Sequence, residues 1–214
     1  MSIKVNEIFY SIQGESTYAG CPCVFIRLCG CNLRCSYCDT KYAYKEGEEL
    51  SIESTIARVV SYGCRLVEIT GGEPLLQQGT PDLIKQLLDR DHTVLLETNG
   101  SLDIANIDDR CIRIMDIKCP SSGESNRNDF DNLVRLTDKD EIKFVIGSRD
   151  DYEYAKNLLP RISQDTPVRQ ILFSPAFGKL PPATLSTWML EDGLQARLSL
   201  QLHKIIWPGI NRGV

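Results

Sequence analysis

Hydrophobic residues recur along this chain in two spacings, and the two take turns. Val24, Ile26 and Leu28 alternate with Phe25 and Arg27, which predicts a strand over 24–28 with two distinct faces. A cysteine-rich loop follows, and then Ser51 precedes a run at helical spacing over 52–62 that Gly63 closes. Residues 66–70 read as the next strand. Beyond Gly71-Gly72-Glu73-Pro74, Thr80 and Pro81 fit the N-cap and N1 positions of a helix with Leu83, Ile84, Leu87 and Leu88 on one face. The same rhythm predicts strands over 94–98 and 112–118, a short helix over 130–136 and a strand over 142–146. It continues with a helix over 151–159, a strand over 170–174, a helix over about 182–191 and a last strand over 197–202.

Strands that alternate with helices imply right-handed crossovers and a mostly parallel sheet, the α/β class. A full eight-unit barrel takes ~250 residues. The chain is shorter and spends its first twenty residues elsewhere, so the expectation is an abbreviated, partly open parallel (β/α) barrel of about six strands, in one domain over 1–214. Chemistry in such folds gathers at the carboxyl ends of the strands. The loop over 29–40 and the Gly-Gly-Glu-Pro turn both fall there.

Composition narrows the function classes. With 214 residues, 42% hydrophobic and 25% charged, the chain can bury a core of its own. A net charge of −5 without a basic block argues against a nucleic-acid partner. No apolar run approaches the ~20 residues of a bilayer span, so no membrane partner is expected. Met1 to Glu7 has no signal-like apolar stretch, and the expected location is the cytoplasm.

Cysteine is the compositional oddity. There are nine, an odd number that argues against a disulfide framework, and six of them lie between Cys21 and Cys38. Cys31, Cys35 and Cys38 form C-x3-C-x2-C directly after the first strand. Three thiolates can each hold one corner of a 4Fe-4S cluster, which leaves one iron open. Such an iron can be chelated by the amino and carboxylate groups of S-adenosylmethionine, whose reductive cleavage supplies a radical that no side chain can make. The plainer alternative is a structural zinc site completed by Cys29 or Cys23. Zinc sites favour paired C-x2-C knuckles, and the triad contains a single such pair. The remaining cysteines read as small buried apolar residues or incidental thiols.

The triad, with Tyr37 just before its last cysteine and Gly71-Gly72-Glu73-Pro74 one strand later, resembles the radical S-adenosylmethionine superfamily. That resemblance implies that Cys31, Cys35 and Cys38 hold the cluster. It also implies that Tyr37, Cys38 and Asp39 contact the adenosyl part, and that Gly72 and Glu73 lie at the methionine amino group. Two adjacent residues without Cβ have an independent rationale, since they let a ligand approach backbone at a strand end.

Flanking segments narrow the resemblance. Glu7 to Ser16 with its Gln13-Gly14-Glu15, Arg27, Cys38-Asp39-Thr40, Glu97-Thr98-Asn99-Gly100 and the ending from His203 resemble the 7-carboxy-7-deazaguanine synthases, in order over essentially the whole chain. The resemblance implies conversion of 6-carboxy-5,6,7,8-tetrahydropterin to 7-carboxy-7-deazaguanine with loss of ammonia, on the route to queuosine and related deazapurines. It implies a 4Fe-4S cluster, S-adenosylmethionine and Mg2+ as cofactors, a homodimer, and an electron donor such as flavodoxin or ferredoxin. Substrate contacts are implied for Ile12, Gln13, Gly14, Glu15, Arg27, Thr70, Glu97 and His203, and an Mg2+ ligand for Thr40. Cofactor contacts are implied for Asp116, Ile117 and Lys118, where the family often has Ser-Pro-Lys, and for Ser174, Pro175, Ala176 and Phe177. The role that some relatives give to their terminal carboxylate is not carried to Val214.

Residue chemistry agrees with these roles. Gln13, Gly14 and Glu15 offer donors and acceptors from one turn to a pterin amide and amino edge. Arg27 offers a planar fork for a carboxylate, and on the barrel-lining face it would be buried and require an anion. The expected reaction begins with hydrogen abstraction from C6 of the pterin, and no general base can be named. Two other readings stay open at this stage: a radical enzyme that activates a partner protein, and a zinc-binding interaction module.

Overall fold

The computed structural model describes residues 1–162, 166–210 and 212–214. Its frame is one nine-stranded sheet. Three strands form an antiparallel edge: β1 (Ser2–Ile12) pairs with β2 (Pro22–Leu28) on one side and with β3 (Glu48–Ser51) on the other. From β2 onward every pairing is parallel, through β4 (Leu66–Gly71), β5 (Thr93–Thr98), β6 (Ile112–Ile117), β7 (Glu141–Ile146), β8 (Ile171–Pro175) and β9 (Arg197–Leu198). Spatial order is β3-β1-β2-β4-β5-β6-β7-β8-β9, with β3 and β9 at unpaired ends, so the barrel is not closed.

Helices α1 (Ile52–Ser61), α2 (Thr80–Leu88), α3 (Arg149–Leu158) and α4 (Pro182–Glu191) sit in the crossovers. Ser51 caps α1 by accepting from Ser54 N at 3.0 Å. On α2 the cap is Gly79, not Thr80. The Thr80 hydroxyl is buried and donates to Pro74 O at 2.6 Å, which ties the helix start to the preceding turn instead of to its own amides. Leu83, Ile84 and Leu87 are buried as their spacing requires. One hydrophobic layer packs α1 and α2 on β1 to β5, and a second packs α3 and α4 on β6 to β8. Both lie on one side of the sheet and leave the other side for chemistry.

The structure adds detail at three places. The first twenty residues, for which no element is predicted, contain a long strand over 2–12. A bulge between Val5 and Glu7 moves the buried row from Ile3 and Val5 to Ile8, so period-two alternation breaks in mid-strand. The predicted strand over 197–202 shrinks to two residues. Its chain leaves the sheet so that Leu202 N donates to Gly14 O at 2.8 Å, and α5 (Leu202–Ile206) follows. The short helix predicted over 130–136 is present as a 3-10 helix over Phe130–Arg135.

Candidate active site

The face of the sheet opposite α1 to α4 lines a cleft with about 290 Å³ of interior space. Strand parity selects its walls. Phe25 and Arg27 of β2, Glu68 and Thr70 of β4 and Glu97 of β5 face the cleft, while Val24, Ile26 and Leu28 pack into the core. Across the parallel ladder Arg27 pairs with Thr70 and Glu97 with Ile114. A row of polar groups therefore runs along the floor.

At the carboxyl ends of the strands, the loop after β2 brings Cys31, Cys35, Tyr37, Cys38, Asp39 and Thr40 to the cleft wall. The three thiols are half-buried. Burial pushes the Cys31 and Cys35 thiols up, and the Lys118 ammonium pulls the other way, favouring thiolate. Gly72 fits its role by size, though for a different reason than ligand approach. A Cβ there would stand 2.2 Å from Gly30 O and 2.6 Å from Cys31 Cβ, so the glycine lets the two loops press together.

The zinc reading fails on position. Cys23 is fully buried beside Phe9 and Phe25, and Cys29 donates its thiol to Glu46 O at 2.6 Å, away from the triad. Among the described residues, no three His, Cys, Asp or Glu side chains converge on a point where they could hold one ion. Thiols spread along one loop suit a multi-iron cluster, whose corners they bind singly. Polar demand for a cofactor is also present: the Tyr37 hydroxyl and Asp116 Oδ1 are buried without a partner, although both residues line the cleft. Asp116 Oδ2 pairs with Lys118 Nζ at 2.6 Å, so the departure from Ser-Pro-Lys places an ion pair on this wall.

On the floor, Arg27 Nε donates to Glu7 Oε1 at 2.8 Å, and Tyr42 donates to the same oxygen at 3.0 Å. The anion that a buried Arg27 required is thus Glu7. Among the described residues this is its one side-chain hydrogen bond, and the two Nη nitrogens of the fork remain available. Gln13 donates to Glu68, and its carbonyl accepts from Glu15 N at 2.7 Å, which shapes the Gln-Gly-Glu turn. Gly14 lies so close to His203 that a Cβ would meet Nδ1 at 2.1 Å. Burial pushes the His203 imidazole below its ordinary value, so it is neutral near pH 7.

Burial, reinforced by the Glu97 and Glu15 charges, pushes the Glu68 carboxyl well above its ordinary 4.5. Folded protein therefore keeps this proton over a pH range in which the unfolded chain has released it, and stability falls as pH rises from 4.5 toward the folded value. Glu68→Gln preserves an acceptor for Gln13 and removes that cost. The variant is expected to unfold at a higher temperature than the parent at pH 8, with the gap closing toward pH 5. Melting curves across this range check it; parallel curves would refute it.

Ile12 to Glu15, Thr70, Gly72, Lys118, Ser174 to Phe177 and His203 all reach the same cleft. Two expected cofactor contacts do not. Ile117 belongs to the core behind the sheet. Glu73 is fully buried and accepts from Leu75 N at 3.0 Å, Asn99 N at 2.7 Å and Thr98 Oγ1 at 2.9 Å. Its carboxylate clasps the Gly-Gly-Glu-Pro turn to the end of β5.

Sequence reasoning passed over Glu7, Tyr42, Glu68 and Lys143. Glu68 and Lys143 carry the signal that marked Arg27, a charge inside an otherwise apolar buried strand. Glu7 lacks one, because its pairing with Arg27 depends on the antiparallel register of β1.

The comparisons with known proteins agree with this geometry. The Radical SAM superfamily profile matches residues 25–119. The chain is 42% identical over 226 residues to a 7-carboxy-7-deazaguanine synthase of Koribacter versatilis, covering 99% of this chain and 100% of that one. It is 45% identical over 221 residues to a 7-carboxy-7-deazaguanine synthase of Chlorobaculum tepidum, covering 99% and 97%. Among solved structures, that of QueE from Escherichia coli superposes with a TM-score of 0.74 at 26% identity over 95% of each chain.

Proposed function

Since the chain belongs to the 7-carboxy-7-deazaguanine synthases of the radical S-adenosylmethionine superfamily, we propose that its cleft binds 6-carboxy-5,6,7,8-tetrahydropterin and rearranges it to 7-carboxy-7-deazaguanine and ammonia. The enzyme is a radical S-adenosylmethionine lyase with a 4Fe-4S cluster. The observation that carries the substrate reading is the meeting of two kinds of residue in one cleft: three cluster-type thiols on its wall, and a largely buried arginine fork with carboxylates on its floor.

Cys31, Cys35 and Cys38 would hold the cluster, and Tyr37, Asp116 and Lys118 would meet S-adenosylmethionine. Together these cofactors supply, when bound, a carbon radical able to remove hydrogen from an unactivated C–H bond. The chain's own residues supply placement. Arg27, fixed through Nε by Glu7, turns its Nη edge to the substrate carboxylate. Gln13, Gly14 and Glu15 take the amide and amino edge, and neutral His203 packs on that turn. Burial pushes the Glu68 carboxyl, which accepts from Gln13 on the floor, well above its ordinary range. The walls exclude water from the reacting carbon, and alignment is the main contribution of the protein. The overall change conserves atoms and electrons, because the substrate equals the product plus ammonia.

Mg2+ is part of the same reading. Thr40 Oγ1 lies 2.9 Å from Asp39 Oδ1 at the cleft wall, a pair of hard oxygen donors to which a substrate carboxylate and waters would add. We further place the reaction on the route to queuosine, in a cytoplasmic homodimer reduced by flavodoxin or ferredoxin. No helix among the described residues is long and apolar enough to cross a membrane. Protein activation is not favoured, because the named relatives match over the full chain. Anaerobic incubation with the carboxypterin, S-adenosylmethionine and a reductant is expected to yield the deazaguanine acid and ammonia, faster with Mg2+ than after chelation. No product under reducing conditions would overturn the reading; product formation indifferent to chelation would remove Mg2+ from it.

A further inference from the structure

Strand β7 sends two charged side chains, Glu141 and Lys143, toward the side of the sheet that holds the cleft, and the function described above has not used them. Lys143 Nζ lies 2.6 Å from Glu15 Oε2 and 2.7 Å from Glu97 Oε1, with its own side chain 7% exposed. One ammonium therefore bridges a carboxylate from the turn after β1 and another from the end of β5. Each carboxylate has its second oxygen held by a neutral donor from elsewhere. Thr70 Oγ1 donates to Glu97 Oε2 at 3.0 Å, and Gln201 Nε2 donates to Glu15 Oε1 at 2.9 Å. Two residues earlier on β7, Glu141 accepts from Thr17 N at 3.1 Å and from the Thr17 hydroxyl, which pins the far end of the same turn.

Resting on the functional reading above, we propose that Lys143 is a positioning residue that holds Glu15 and Glu97 in one fixed arrangement, as a paired anionic acceptor for the amide and amino edge of the pterin. Burial works against both charges of this bridge. Yet the ammonium overrides it at Glu97, whose carboxyl is held at about 2, and the Glu15, Glu97 and Asp116 carboxylates keep Lys143 well above its usual range. Without the cation, the Glu15 and Glu97 carboxylates would face one another beside the buried Glu68, and the chain would relieve the repulsion by taking up protons or turning side chains away. Either response removes acceptors from the substrate edge. The buried pair Arg113–Asp140 shows the contrast: its carboxylate serves Arg113 N and Thr137 and lines no part of the cleft.

The test is Lys143→Met in the cluster-loaded enzyme. Two readouts are taken: the Kd of the carboxypterin in unreduced protein, where no turnover occurs, and the split between KM and kcat. The expected result is a rise of at least about tenfold in Kd and KM, the cost of losing a charged hydrogen-bond partner. At saturation kcat should stay within about threefold of the parent, with iron content and S-adenosylmethionine binding unchanged, since the reacting carbon is placed by other groups. Lys143→Gln, which keeps one donor but no charge, gives the same readout should the methionine variant fail to fold. Parent-like Kd and KM in either variant would overturn the proposal, as would a loss confined to kcat and cluster content. An active parent with indifferent variants rejects this role alone, whereas a parent that does not convert the carboxypterin rejects the functional reading beneath it.

Discussion

Cys35→Ala, purified and reconstituted without oxygen, is expected to hold no intact 4Fe-4S cluster and to form no product above background, while Cys29→Ala keeps both. The contrast follows from position. Cys35 stands half-buried on the cleft wall, between Cys31 and Cys38 on one loop, and that loop is pressed against Gly72. Cys29 is two residues from Cys31 in sequence, but its thiol points away to Glu46 O. With one of three protein donors gone, two irons would lack a thiolate, and the thiolate set is what retains the cluster. Iron and sulfide analysis with the visible spectrum reads the first effect, and product formation reads the second. Full cluster occupancy in Cys35→Ala, or its loss in Cys29→Ala, would show that the ligands are misassigned.

The second large effect is expected at Arg27. Its side chain is largely buried at 15% exposed, its Nε is held by Glu7, and Phe9 and Tyr42 rings lie 5.8 and 5.9 Å from it. Arg27→Ala removes the fork for the substrate carboxylate and strands the Glu7 charge. A loss of about 3–4 kcal/mol is typical of a buried, hydrogen-bonded charge pair, so kcat/KM should fall by about 10²–10³. Arg27→Lys keeps the charge but can neither hold Glu7 through Nε nor present two parallel donors, and it should recover only part of the loss. Most of the change should appear in KM for the carboxypterin, with cluster content equal to the parent. An Arg27→Ala enzyme with parent-like KM would place the substrate carboxylate elsewhere.

Much of this arrangement is legible in the amino-acid sequence. Arg27 could be assigned to the cleft because period two along 24–28 leaves it no other face, and the cysteine spacing marked the loop that carries the thiols. The same logic stopped short at Lys143. Its charge within 142–146 was visible, but its partners lie more than forty residues away along the chain, and no local pattern names them. β1 was hidden by its bulge, which reverses the buried parity in mid-strand and erases the alternation that identifies a strand. At 197–202 a β-like stretch lost to a tertiary contact, the bond from Leu202 N to Gly14 O. The Gly-Gly-Glu-Pro motif was recognised, yet only the structure shows that Glu73 turns inward to clasp Thr98 and Asn99 while Gly72 makes room for Cys31.

The most direct test of the account is electron paramagnetic resonance of the reduced holoenzyme before and after addition of S-adenosylmethionine, with iron and sulfide counted in the same sample. Three protein thiolates and an accessible iron predict four irons and four sulfides per chain and a signal that changes when the sulfonium compound is added. A colourless zinc protein, or a cluster signal that ignores S-adenosylmethionine because a fourth side chain already occupies that iron, would contradict it.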